Sequence, residues 1–188
     1  MSGFRVVETA TRWQGAFLEV VDAQIVAADG SIFQRDVVRH PGAVVIVPVT
    51  TDREHAILVR QFRAAVGHEL LEVPAGKRDV DGEPPEETAR RELEEEIGHR
   101  PGRLVKLCEF FNSPGFSDEY THLFCALDLE PLAHAHAVTA EEAAMTVERI
   151  RFADVDALIE QREIVDAKTI IGLIQARRYL ERTAGRRG

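Results

Sequence analysis

Four glutamates crowd one short stretch of the chain, "RRELEEEIG", at residues 90–98. On a helix of 3.6 residues per turn, Glu92, Glu95 and Glu96 share one face, because they are spaced i, i+3 and i+4. Like charges at these spacings repel, so such a face is either simply solvated or built to receive a cation. Carboxylates that converge suit a hard cation such as Mg²⁺, which can neutralise phosphate oxygens while a P–O bond breaks.

The flanking residues predict a helix that follows a strand and a loop. A helix is expected over residues 86–98, with two prolines at its first turn and Gly98 at its C-cap. A short strand ending in Pro-Ala-Gly and a loop rich in Asp and Gly precede it, as in sites held on rigid scaffolds. Apolar residues at i, i+4 and i+8 predict the buried stripe of this helix: Ala89, Leu93 and Ile97.

The whole segment "GKRDVDGEPPEETARRELEEEIGH" closely resembles the Nudix box, G-x5-E-x7-R-E-U-x-E-E-x-G-U, in which U is apolar. Gly76 opens the box, Glu83 is its middle glutamate, and residues 91–98 match its core without a gap. The chain departs from the pattern twice. Six residues rather than five separate Gly76 from Glu83, and the last apolar position is His99. The first departure concerns the path of the loop, and the second concerns packing after the helix.

The resemblance implies a set of metal ligands. Glu92 and Glu96 would be the principal ligands, and Glu95 would share another ion. In this family the carbonyl of the residue before the box glycine, here Ala75, commonly joins them. The implied cofactor is Mg²⁺, with Mn²⁺ or another divalent cation as alternatives.

The resemblance also implies catalytic residues, and here two assignments have alternatives. Arg91 would orient a carboxylate through charge-assisted bonds, or it would form only a surface pair with Glu87. Glu83 would either tie the loop to the helix or act as a further metal partner. The base in this family is usually a glutamate on a later loop, which makes Glu142 the first candidate and Glu141 the second.

The box implies hydrolysis of a nucleoside diphosphate linked to another group, and the substrate must be inferred elsewhere. "SPGFSDE" has its proline sixteen residues after the last glycine of the box and resembles the loop of the ADP-ribose pyrophosphatase subgroup. Otherwise Ser-Pro-Gly is only a turn, and its phenylalanine only covers the sheet. By the same resemblance, Arg63 would contact the diphosphate or terminal ribose, and Arg35 aligns roughly with another arginine that contacts the substrate. The implied substrate-binding residues are Arg35, Arg63, Pro114, Gly115 and Phe116.

The predicted reaction is hydrolysis of ADP-ribose to AMP and ribose 5-phosphate. One alternative is another nucleoside diphosphate sugar, such as a GDP-hexose or ADP-glucose. A second is a non-catalytic Nudix domain that senses a nucleotide, although such domains usually lose a core glutamate and this chain keeps them all.

The expected fold is α/β: a Nudix α/β/α sandwich with a mixed sheet, plus a small N-terminal antiparallel β-unit. We divide the chain into residues 1–40 and 41–188. β-formers begin at residue 13, and Asp-Gly at residues 29–30 predicts a hairpin. The N-terminal unit resembles the segment that these enzymes exchange across a dimer, which implies a homodimer. In this unit Trp13, the only tryptophan, either stacks on adenine or packs at the sheet edge.

A last helix is expected in "DAKTIIGLIQARRYLERT", with Asp166 as its N-cap. It has a helical apolar stripe at Ile170, Ile171, Ile174 and Leu180.

Composition excludes several classes of function. The 188 residues carry a formal charge of −9, which argues against nucleic-acid binding through a basic face. No run approaches the ~18 apolar residues that cross a membrane, and the N-terminus lacks a signal-peptide pattern. Cys108 and Cys125 have no CxxC spacing and are expected to be reduced thiols. We therefore expect a cytoplasmic protein.

Overall fold

The computed structural model describes residues 3–132 and 144–185. The chain divides into two compact units, which are described separately. The first unit comprises Met1–Ala43 and Phe110–Thr121, and the second comprises Val44–Glu109 and His122–Gly188.

The described residues form three sheets. Their orders are β1-β2-β3, β10-β5-β6 and β7-β4-β9-β8. The strands are β1 Arg5–Gln14, β2 Glu19–Val26, β3 Ile32–Arg39, β4 Ala43–Pro48, β5 His55–Arg63, β6 His68–Glu72, β7 Ala75–Lys77, β8 His99–Phe111, β9 Tyr120–Pro131 and β10 Thr146–Arg151. The helices are α1 Pro85–Ile97, α2 Val155–Glu160, which a 3₁₀ turn at Phe152–Asp154 precedes, and α3 Ala167–Ala184. Within the described ranges, no helix has both the length and the apolar character needed to cross a membrane.

The first unit contains an antiparallel meander of β1, β2 and β3. The predicted hairpin is present: Gly30 has a φ of 84°, and the Ser31 amide donates to Asp29 at 2.9 Å. β1 starts earlier than the β-forming pattern indicated, at Arg5 rather than at residue 13. All of β1 is exposed, so neither of its faces imposes the alternation by which a half-buried strand is recognised.

In the second unit, helices cover both faces of β4, all six residues of which are buried. Val44 and Ile46 belong to a buried cluster with the predicted stripe of α1, Ala89, Leu93 and Ile97. Val47 points to the opposite face of β4 and lies against α3, since a Cβ placed on Gly172 would be 3.0 Å from the Cγ2 atom of Val47. The sheet is therefore sandwiched between α1 and α3, and the predicted α/β/α class is confirmed.

The ends of α1 follow their sequence signals. Pro84 is the N-cap and Pro85 the first helical residue, where a missing N–H costs nothing. Gly98 adopts the left-handed conformation at φ 64° and its N–H bonds to the carbonyl of Leu93. The acidic segment is thus held as one regular helix.

α3 begins as predicted, with the Asp166 carboxylate accepting from the Thr169 amide at 2.9 Å. The four residues of the predicted apolar stripe lie on this helix and are half-buried. Small residues on the inner face let the helix backbone approach the sheet, and the larger isoleucines lie at its borders. The fully buried face consists of Thr169, Gly172, Leu173 and Ala176.

Candidate active site

Two glutamates of α1 converge on the short strand β7. The Ala75 amide donates to the Oε2 atom of Glu96 at 3.3 Å. Gly76 lies directly against Glu92, because a Cβ at this position would be only 1.8 Å from the Cδ atom of Glu92. A side chain at residue 76 would therefore occupy the space of the glutamate. The structure brings together three of the four residues predicted to bind metal, Ala75, Glu92 and Glu96.

Arg91 connects the fourth of these residues to the others. Its Nη1 atom donates to Glu92 at 2.9 Å and to Glu95 at 3.2 Å, while Nη2 lies 3.5 Å from Glu83. Glu87, the alternative partner, instead pairs with a different arginine. Arg91 therefore orients the carboxylates of the acidic face, as one of its two predicted roles requires.

Glu83 links the preceding loop to α1. Its Oε2 atom accepts from the hydroxyl of Thr88 at 2.8 Å as well as facing Arg91. The hydrogen bond from Thr88, together with the charge of Arg91, lowers the pKa of Glu83. The loop that carries the extra residue turns at Gly82, which has a φ of 74°. This geometry corresponds to the first of the two predicted roles of Glu83.

Glu92 has an unusual electrostatic environment. Its side chain is 12% exposed, and burial raises its pKa to about 7, although Arg91 acts in the opposite direction. The charge of Glu95 adds to the increase. Glu92 is therefore a largely buried carboxylate whose negative charge Arg91 compensates only in part. A donor set of carboxylates and one carbonyl oxygen fits a hard divalent cation, which would supply the missing charge.

Glu94 faces away from this cluster. Its carboxylate accepts from the Nε atom of Arg100 at 2.8 Å in an exposed ion pair. It is the one glutamate of residues 92–96 that the sequence left out of the metal site, and it provides a matched control for the others.

Arg63 is held by a residue that the sequence did not indicate. Its Nε and Nη2 atoms donate to the two oxygens of Glu72 at 2.8 and 2.7 Å. The hydrogen bond to Glu72 raises the pKa of Arg63, and the charge of Glu96 also contributes. Glu72 lies just before "VPAG", but its burial and its partners depend on contacts between distant parts of the chain, for which "HELLE" carries no signal.

The remaining predicted substrate residues belong to the first unit. The loop that carries them pairs with β3: the Val38 amide donates to the Phe116 carbonyl at 2.7 Å. Asp118 then accepts from Arg39 at 2.9 Å. Arg35 lies on the same strand, with its guanidinium 4.7 Å from the centroid of the Phe33 ring. The unit thus contains Arg35, Pro114, Gly115 and Phe116.

Both candidates for the catalytic base, Glu142 and Glu141, lie outside the described residues. Their assignment stays a prediction.

A separate cleft of about 1140 Å³ lies in the second unit, and none of its lining residues is a predicted metal ligand. Asp52 and His55 line it and, with Glu54, form a cluster of potential ligand atoms. A hydrogen bond from Thr50 lowers the pKa of Asp52 to about 2, and the Glu54 amide and His55 bond to the same carboxylate. These groups close the turn between β4 and β5, so their arrangement already has a structural explanation.

The fold and the acidic helix together define the class. The NUDIX domain matches residues 39–171, and the chain belongs to this family of hydrolases. A solved structure described as an ADP compounds hydrolase superposes with a TM-score of 0.83, covering 97% of each chain at 22% identity. At this identity the likeness shows the fold.

Three relatives of known description are similar to this chain over most of its length. The ADP-ribose pyrophosphatase of Bacillus subtilis (strain 168) is 38% identical over 84% of this chain and 83% of its own length. The ADP-ribose pyrophosphatase of Mycobacterium tuberculosis is 36% identical over 91% of this chain and 82% of its own. The methanol dehydrogenase activator of Bacillus methanolicus is 31% identical over 90% of both chains.

Proposed function

We propose that this protein hydrolyses the diphosphate of ADP-ribose to AMP and ribose 5-phosphate with a divalent cation. The observation that carries the proposal is the position of Glu92 and Glu96 against Ala75 and Gly76, with Glu92 largely buried and only partly compensated by Arg91. Similarity to two ADP-ribose pyrophosphatases over most of the chain supports the choice of substrate.

Four residues would bind the cation, and a fifth would position two of them. The carbonyl of Ala75 and the carboxylates of Glu92, Glu95 and Glu96 would hold the cation, Mg²⁺ or Mn²⁺. When bound, the cation would neutralise diphosphate oxygens and acidify water. Arg91 holds two of these carboxylates in place.

Other residues would act on the substrate and on water. Arg63 would bind the diphosphate or the terminal ribose through charge-assisted bonds. Glu142, or else Glu141, would orient or deprotonate the attacking water. In the first unit, Arg35 and the loop Pro114–Phe116 would contact the remainder of the substrate. The pairing of that loop with β3 supports this role, because it presents the loop on a rigid element.

The assignment of the metal site is tested by Glu96→Gln, with Glu94→Gln as the matched control on the same helix. We expect Glu96→Gln to lower kcat by on the order of a hundredfold or more, because a metal ligand is lost. Glu94→Gln should remain within about threefold of wild type, because an exposed ion pair contributes little. Release of AMP from ADP-ribose, measured by chromatography with Mg²⁺ and again with a chelator, gives the result. Near wild-type turnover by Glu96→Gln would show that the metal assignment is wrong.

The alternative substrates are separated by the same assay. We expect kcat/KM to be highest for ADP-ribose in a panel that includes ADP-glucose and a GDP-hexose. A higher value for either of these would reassign the substrate. Stoichiometric binding without turnover would instead identify a nucleotide sensor.

We also propose that the protein is a homodimer formed through residues 1–40. Large apolar side chains of the first unit are exposed, and a second copy would cover them. They include Phe4 (59% exposed), Val6 (58%), Trp13 (55%) and Ile32 (61%). Light scattering should give twice the mass of the 21.0 kDa chain, and Val6→Ser with Trp13→Ser should shift it toward one chain. A wild-type protein that scatters as a single chain would contradict this arrangement.

The cytoplasmic location remains a proposal supported by the cysteines. Cys108 and Cys125 are both free thiols. Burial raises the pKa of Cys125 to about 12, so it is an inert apolar side chain at neutral pH.

A further inference from the structure

Glu72 accepts hydrogen bonds from two cations that come from distant parts of the second unit. Arg63, at the end of β5, binds both of its oxygens, and Lys168, in the first turn of α3, binds Oε2. The Glu72 side chain is 1% exposed, whereas that of Arg63 is 39% exposed. A fully buried carboxylate therefore holds an arginine that reaches solvent.

Lys168 is itself fixed by the N-terminus of α3. Its Nζ atom lies 2.9 Å from Asp166, the N-cap carboxylate, which also accepts from the hydroxyl of Thr169 at 2.6 Å. That hydroxyl accepts in turn from the Val73 amide at 3.0 Å, directly after Glu72 in the chain. The lysine and the strand end that carries Glu72 thus both contact the first turn of α3.

This arrangement leaves one edge of the Arg63 guanidinium available. The edge formed by Nε and Nη2 is used by Glu72. Among the described residues, Nη1 has no hydrogen-bond partner, and a guanidinium is a planar fork whose edges have fixed directions. Arg63 and Lys168 bring two positive charges to the one negative charge of Glu72, and the charges of Glu96 and Asp166 also act on Arg63.

We propose that Glu72 and Lys168 are positioning residues that hold Arg63 with its Nη1 edge directed at the diphosphate of the substrate. The inference rests on the proposed function, in which Arg63 contacts the diphosphate. Arginine loses rotational freedom when it binds a ligand, so an arginine that the protein already holds binds the ligand more tightly. Lys168 contributes without touching the substrate. It takes part of the negative charge of Glu72, which would otherwise act on Arg63 alone and reduce the attraction of Arg63 for the diphosphate.

A double-mutant cycle with Lys168→Met and Arg63→Ala tests this dependence. Lys168→Met alone should raise KM for ADP-ribose roughly tenfold, with kcat within about twofold of wild type. In the Arg63→Ala background the same substitution should change KM by less than about twofold, because the residue through which it acts is absent. Lys168→Arg should restore most of the affinity, since it keeps the charge beside Glu72.

A control variant separates positioning from stability. Arg177→Met removes a cation from the same helix, where Arg177 pairs with the exposed Asp156 at 3.0 Å, and it should leave KM unchanged. Thermal unfolding of every variant shows whether lost stability follows the change in KM. An equal rise of KM in the presence and absence of Arg63, or a rise of KM in Arg177→Met, would overturn the inference.

Binding of ADP, measured by calorimetry without divalent metal, distinguishes failure of the inference from failure of the proposed function. If wild type hydrolyses none of the nucleoside diphosphate sugars, the proposed function fails. The inference stands if ADP still binds and if Lys168→Met weakens ADP binding only when Arg63 is present. The inference is overturned as well if the wild-type protein binds no ADP, or if Lys168→Met leaves the Kd for ADP unchanged.

Discussion

Two glutamates of the second unit, the largely buried Glu92 and the fully buried Glu72, have opposite electrostatic environments. Burial raises the pKa of Glu92 to about 7, because Arg91 alone does not compensate for it. Burial acts on Glu72 in the same direction, but the hydrogen bond from Arg63 and the charges of Lys168 and Arg63 outweigh it, so the pKa of Glu72 is lowered. Glu92 has one cationic partner, Arg91, which it shares with Glu95, whereas Glu72 has two, Arg63 and Lys168.

The contrast separates a carboxylate that can bind a cation, Glu92, from a carboxylate that positions another side chain, Glu72. A protein that leaves a buried charge uncompensated destabilises itself, and such groups concentrate where function requires them. Glu72 is saturated by the protein and has no capacity left for a cation. Glu92 has that capacity, and it lies beside a glycine that leaves room for it.

The largest expected effect concerns activity. Glu92→Gln should lower kcat for ADP-ribose by on the order of a hundredfold or more, because a ligand of the divalent cation is removed. The amide has nearly the shape of the carboxylate, so the fold should survive, as circular dichroism would show. Retention of more than about a tenth of wild-type kcat would mean that Glu92 and Glu72 do not differ in the way we describe.

The next effect concerns stability at the other glutamate. Glu72→Gln should lower the free energy of unfolding by about 3 kcal/mol, because it removes the buried negative charge that Arg63 and Lys168 share. Glu148→Gln is the control, since Glu148 forms a half-exposed pair with Arg60 and should contribute less than about 1 kcal/mol. Urea unfolding at pH 7 measures both. Equal losses in the two variants would contradict the special role of burial at Glu72.

The pH dependence of the metal-free protein should show the raised pKa of Glu92. Protonated Glu92 contributes stability that is fully present below its usual pKa of 4.5 and is lost as the pH rises through about 7. Between pH 5 and pH 8, wild type in a chelator should therefore lose on the order of 2 kcal/mol relative to Glu92→Gln. Added Mg²⁺ should reduce this difference. A difference that is independent of pH would mean that the pKa is not raised.

The smallest effect concerns the glycine beside Glu92. Gly76→Ala should lower kcat/KM by about tenfold, because the added Cβ forces the Glu92 carboxyl to move while leaving the core intact. Gly185→Ala is the control, because a Cβ there would come no closer than 3.8 Å to another atom and Gly185 lies at the end of α3, outside the proposed site. A variant at residue 76 with unchanged activity would show that Glu92 tolerates displacement.

Local patterns predicted the helix and the arrangement of its glutamates well. The spacing of Ala89, Leu93 and Ile97 specified the buried face of α1, and this in turn determined where Glu92 and Glu96 must lie. The apolar pattern of α3 did not identify its fully buried face. The pattern gave weight to isoleucines, whereas close packing on the sheet favoured Gly172 and Ala176.

The sequence by itself determined the family, the acidic helix and the chemistry of a divalent cation, because these follow from spacings within about 25 residues. Only the tertiary structure decided how the charge of each of these carboxylates is compensated. Glu72 and Lys168 are 96 residues apart and meet only once α3 packs on the sheet. Burial and charge compensation are properties of neighbours in space, so the spacing that singled out Glu92 contains no information about Glu72.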